Sequence, residues 1–117
     1  MRRDTGLWCS AEYSSFTLGP EADKYRLNVA GYSGDAGDAI TSPVIPARIN
    51  NGMQFTTKDS DNDYNPMGTC GSFNGGAWWF NYCTKSWLNL NLKSTWSAVS
   101  DAIVNDIEFS RMMVKLD

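Results

Sequence analysis

The protein contains no histidine. That removes the commonest general base and every Ser-His or Cys-His nucleophile arrangement. No run approaches the roughly eighteen apolar residues that a membrane span needs, and no apolar stretch of signal-peptide length follows the basic Met1-Arg2-Arg3. A strong excess of either charge is lacking as well. Ten Lys and Arg against 13 Asp and Glu give a net charge of -3 without a basic stripe, which argues against nucleic acid as a partner. Cysteine is limited to Cys9, Cys70 and Cys83, with no CxxC, so zinc chemistry has little support.

What is present fits one small domain. The 117 residues are 42% hydrophobic and 20% charged, enough for a modest core. Ten glycines and five tryptophans indicate loops anchored by aromatic plugs rather than long regular elements. Tyr25, Leu27 and Val29 alternate with Arg26 and Asn28, the period of a half-buried strand. Tyr32 to Gly37 is turn chemistry, Ser42 to Pro46 reads as an extended insertion, and Met53 with Phe55 starts a short strand. Met112, Val114 and Leu116 alternate near the end, on the opposite parity to Ile107 and Phe109, which predicts a bulge near Arg111. Ala98 to Val104 could form a helical turn or two.

The informative stretch is Asn51 to Cys83, where Asp59, Asp61 and Asp63 precede a Gly-rich loop bracketed by two cysteines. Alternate carboxylates offer the hard oxygens that calcium takes together with carbonyls and water. An EF-hand is excluded, because Tyr64 and Cys70 stand where that loop needs Gly and a bidentate Glu. A solvated acidic turn is the competing reading of the triplet, since Asp and Asn bond readily to nearby backbone. Thirteen acidic residues are on offer for a pair of catalytic carboxylates, yet the clustered ones share one loop, where like charges favour a cation over an acid-base division of labour. An enzyme is not expected.

Several segments in order, AEYSSFTLGPEADKYRLNVAGYSGDAGDAI, FTTKDSDND, GGAWWFNYC, SWLNLN and, more weakly, IEFSRMMVKL, resemble the fibrinogen-like C-terminal domain of ficolins, tachylectins, angiopoietins and fibrinogen-related lectins. The resemblance covers nearly the whole sequence. It implies an α+β, loop-rich fold with short antiparallel strands, truncated on the N-terminal side. Residues 1-117 then form a partial fibrinogen-like domain lacking its N-terminal subdomain, either the back half of a larger secreted protein or an incomplete gene model.

The same resemblance implies the site. Cys70 and Cys83 would be bonded to each other, a closure of twelve intervening residues that contributes on the order of 3 kcal/mol; Cys9 would stay free or pair between chains. Asp61 and Asp63 would give side-chain oxygens to Ca2+, with backbone carbonyls from Asn65 and Met67, or Gly68 in place of Met67, and with Asp59 behind them. A ligand pocket beside this loop would involve Cys83 and Thr84, with a cis peptide at Tyr82-Cys83 or Cys83-Thr84, and Phe73, Asn74 and Tyr82, which lie inside or beside the disulfide loop, are candidates for its lip. Trp78 and Trp79 read as core packing rather than a sugar platform.

Departures from the family pattern fall on the pocket. Thr84, Trp87 and Leu90 replace a His, an Asn and a Gly, and the loop after Leu92 is short. The expected function is an extracellular, calcium-dependent recognition module of lectin type, binding glycans or acetylated groups. The alternative is an adhesion or receptor-binding module of angiopoietin-like type, and the resemblance implies an oligomer in the full-length protein.

Overall fold

A computed structural model describes residues 1-3, 6-74, 76-84, 86-89, 94-96 and 107-116, with the side chains of Phe73 and Asn74 excepted. Its longest feature is an antiparallel hairpin of β2 (Ala11–Leu18) and β3 (Leu27–Gly34), in register from Leu18 opposite Leu27 to Ala11 opposite Gly34. The pairing forces small residues where the strands cross closely. A β-carbon on Gly31, whose φ is +75°, would lie 1.8 Å from the Ser14 hydroxyl.

The connection contains a 3-10 turn at Glu21–Asp23, after which Lys24 and Tyr25 both take the left-handed conformation, with φ of 51° and 54°. Tyr25 therefore lies outside the strand and is exposed, whereas Leu27 and Val29 are buried as their alternation predicts. Two successive left-handed residues turn the Lys24 and Tyr25 carbonyls outward to meet the N–H of Phe55 and the indole N–H of Trp79. That tertiary pull overrides the period-two pattern at Tyr25.

Two further sheets are small. β1 (Arg2–Arg3) pairs with β6 (Ile107–Phe109), and β4 (Ser86–Trp87) pairs with β5 (Thr95–Trp96), both antiparallel. The register slips between Arg2 and Arg3, opposite Glu108, not near Arg111. Residues 110-116 carry no strand, and Met112, Val114 and Leu116 are exposed. Val44 sits in a turn, and Pro46 opens a 3-10 turn at Pro46–Arg48, so the proline-flanked insertion is coiled rather than extended. Met53 and Phe55 form no strand; the Met53 carbonyl accepts the Leu27 N–H, the Met53 N–H donates to the Asn50 carbonyl, and the Phe55 N–H donates to the Lys24 carbonyl. Ala98 to Val104, Leu90 and Leu92 lie outside the described residues.

Two apolar clusters form the core. Leu27, Val29, Ala39, Ile40, Trp96 and Ile107 make one; Cys70, Trp78, Phe80 and Trp87 make the other; Trp79 and Leu88 pack against both. Phe80 is wholly buried with its ring centroid 4.8 Å from that of Trp87, edge to face. Burying a side chain of that size is worth about 1.5–3 kcal/mol. Trp78 is buried and Trp79 half-buried, as expected for core packing. The indole N–H groups of Trp78 and Trp87 are buried without a hydrogen-bond partner among the described residues. Asp38 ties the hairpin to the first cluster, accepting from the hydroxyls of Tyr13 and Thr41 and from the N–H groups of Ile40 and Thr41.

Candidate functional site

The alternate spacing of the acidic loop produces a repeated local bond. Asp61 accepts the N–H of Asp63 at 3.2 Å, Asp63 that of Asn65 at 2.8 Å, and Asn65 that of Met67 at 3.0 Å, each through its side-chain oxygen. Such side-chain turns are the favoured alternative of Asp and Asn to regular structure. They curl residues 61-67 toward the disulfide. The other oxygen of Asp63 accepts the N–H of Cys70 at 2.8 Å, at the start of the short helix α1 (Cys70–Asn74).

Cys70 and Cys83 are bonded, with a Cα–Cα distance of 5.4 Å, and Asn65 Nδ2 lies 4.0 and 3.9 Å from their two sulfurs. Cys9 is the free cysteine. Behind the disulfide, Tyr64 donates its N–H to the Asn81 carbonyl, and the Tyr82 N–H reaches the Ala47 carbonyl. Asn81 Nδ2 donates to the carbonyls of Pro46 and Ile49 at 3.2 and 3.1 Å. Three distant segments thereby present Tyr64 and Tyr82 on one frame, 65% and 46% exposed.

The electrostatics follow from this packing. Burial raises the pKa of Asp63, and the neighbouring Asp61 charge adds to the rise, against the opposing N–H bonds from Cys70 and Asn65. The Thr57 hydroxyl, donating to Asp59 at 2.6 Å, instead holds that carboxyl below the usual range, so Asp59 is engaged away from the pair. Among the described residues no three acidic, Cys or His side chains gather as a metal-binding group. Asp61 and Asp63 nevertheless fit a hard cation: two like charges share one loop, each oxygen of Asp63 keeps a lone pair after accepting one N–H, and a cation would offset their repulsion.

The family model for the C-terminal globular domain of the fibrinogen beta and gamma chains matches residues 1–110. The protein belongs to this fibrinogen C-terminal domain family. It is 39% identical over 110 residues to protein scabrous of Drosophila melanogaster, covering 90% of this sequence and 12% of that protein. To the human fibrinogen gamma chain it is 44% identical over 92 residues, covering 72% of this sequence and 20% of the other. Among solved structures, the fibrinogen-like globe domain of human ANGPTL2 superposes with a TM-score of 0.67 at 38% identity, over 82% of this protein and 39% of that one. Lamprey fibrin D-dimer, solved with the peptide ligand Gly-His-Arg-Pro-amide, gives 0.68 at 34% identity, over 75% and 30%. The 117 residues thus span about an eighth to a fifth of these curated relatives.

Of the expected pocket residues, Tyr82 is exposed beside the disulfide, Cys83 is half-buried within it, and Asn74 ends α1 with a side chain outside the described set. Thr84 bonds its hydroxyl within the protein. Its hydroxyl contacts Asn50 Nδ2 at 2.7 Å, the Ser86 N–H at 3.0 Å and the Ser86 carbonyl at 2.7 Å, which exhausts one donor and two acceptor positions. The bonds on both sides of Cys83 are trans, and Cys83 takes a left-handed φ of 53°. Sequence reading missed Asn50, Asn81 and Tyr64. The Asn50-Asn51 pair directly before a glycine was the available signal, since the Asn51 side chain also accepts the Val29 N–H, at 2.8 Å.

Proposed function

We propose that the protein is an extracellular, non-enzymatic recognition module that binds a peptide segment of a protein partner. The observation that carries this reading is the pair of exposed tyrosines, Tyr64 and Tyr82, fixed beside the acidic loop by backbone bonds. Tyrosine supplies large amphipathic contact area at low entropic cost and is enriched where interfaces concentrate their energy. The lamprey fibrin neighbour, solved with a peptide ligand, supports the same class of partner. The disulfide fits an oxidising compartment. The glycan and acetyl-group reading is set below it, because Thr84, which that pocket would use, turns its hydroxyl inward.

The acidic loop is proposed as a calcium site in which Asp61 and Asp63 supply carboxylate oxygens and Asn65 and Met67 backbone carbonyls. Its contribution would be to hold residues 61-67 against the disulfide and so keep Tyr64 in place. Peptide binding by the wild-type protein, measured with Gly-His-Arg-Pro-amide and with N-acetylglucosamine as competitor, tests the reading. Binding that Tyr64→Ala and Tyr82→Ala weaken and the sugar leaves alone supports it; displacement by the sugar restores the lectin.

A further inference from the structure

Asn50 is a wholly buried polar side chain, 0% exposed, in a network that closes on itself. Its amide nitrogen donates to the Trp79 carbonyl at 2.9 Å and to Thr84 Oγ1 at 2.7 Å, and its oxygen accepts the Ser86 hydroxyl at 2.9 Å. Thr84 passes its single proton to the Ser86 carbonyl while accepting the Ser86 N–H. With that assignment every donor of the Asn50, Thr84 and Ser86 side chains is used once. A fully satisfied buried network specifies one geometry, whereas a broken one leaves desolvated groups behind.

The network stands on one side of a strained residue. Cys83 carries a β-carbon in the left-handed region, a conformation that surroundings must enforce. On its N-terminal side, the Asn81 N–H donates to the Cys83 carbonyl at 2.9 Å, and Tyr82 is held to Ala47. On its C-terminal side, Thr84 is held to Asn50. Ser86 is buried and begins β4, so the far end of the clamp is a sheet.

We infer that Asn50, acting through Thr84 and Ser86, is the positioning residue of the recognition surface: it fixes the backbone of Cys83 and thereby the outward presentation of Tyr82. This deepens the proposed function and rests on it for the identity of the surface. Thr84 accordingly acts as a strut, touching no ligand.

The test uses all 117 residues with Thr84→Val, which keeps shape and loses the hydroxyl, Thr84→Ser, which restores it, and Ile40→Val as a control in the other cluster. Readouts are the amide NMR signals of Tyr82 and Cys83 and the affinity for Gly-His-Arg-Pro-amide. Thr84→Val is expected to shift both signals and weaken the peptide about tenfold, Thr84→Ser to return both toward wild type, and Ile40→Val to lower the melting temperature without moving the Tyr82 signal. Unmoved Tyr82 and Cys83 signals in Thr84→Val would overturn the inference. If Thr84→Val does not fold, Ser86→Ala, which removes one donor to Asn50, is read the same way. A wild type that ignores the peptide defeats the proposed function, and the two amide signals still judge the clamp.

Discussion

Asp63 accepts the backbone N–H of Cys70 at 2.8 Å, and together with the bond from the Tyr64 N–H to the Asn81 carbonyl this joins the acidic loop and the disulfide loop into a single unit. Replacing Asp63 by Ala leaves the Cys70 N–H, on a wholly buried residue, without its partner. Such a loss costs about 1–3 kcal/mol. Denaturant unfolding of Asp63→Ala should show the loss with the slope unchanged; wild-type stability would mean that the bond is dispensable.

The disulfide itself has a simple readout. Peptide mapping without reduction should recover Cys70 joined to Cys83 and Cys9 unpaired in the monomer. Cys70→Ser with Cys83→Ser should destabilise the protein by about 3 kcal/mol, the value for a loop of this length.

Acid should loosen the tie between the hairpin and the first cluster. Burial pushes Asp38 up, but bonds from Thr41, Tyr13 and Ile40 outweigh it and hold the carboxyl below the ordinary range. A carboxyl with a depressed folded pKa stabilises fully above its unfolded value of about 3.9 and loses that contribution as pH falls through the folded pKa. Asp38→Asn should therefore be less stable than wild type at about pH 6, with the gap closing below about pH 3.9. An equal gap at both pH values would contradict this.

Calcium binding, if the acidic loop supplies it, should fall in the weak extracellular range, about 10⁻⁵ to 10⁻³ M. Calorimetry on Asp61→Ala should show it lost. Because Asp63 has a raised pKa, protons should compete with the ion from above the ordinary carboxylate range downward. Binding unchanged in Asp61→Ala would reduce the loop to a series of side-chain turns.

Different parts of this molecule were unequally legible in its sequence. The Asp triplet and the cysteine bracket are local, so spacing alone made the side-chain turns at Asp61 and Asp63 readable and, with the family resemblance, the Cys70–Cys83 bond. Leu27 and Val29 announced their strand, yet β2 did not, because Glu12, Ser14 and Ser15 give no contrast of period. Asn50 meets Thr84 across 34 positions, a relation that no local window contains. The internal bonds of Thr84 were hidden for the same reason: its partner lies 34 residues upstream.

The central claim is a peptide-binding surface built on Tyr64 and Tyr82. Calorimetric titration of the wild-type protein with Gly-His-Arg-Pro-amide, set against Tyr82→Ala, tests it most directly. The account predicts measurable binding that Tyr82→Ala weakens by about 2 kcal/mol, the scale of an interface hot spot, with the melting temperature little changed because the side chain is 46% exposed. Equal affinity in the two proteins, or binding displaced by N-acetylglucosamine, would contradict it.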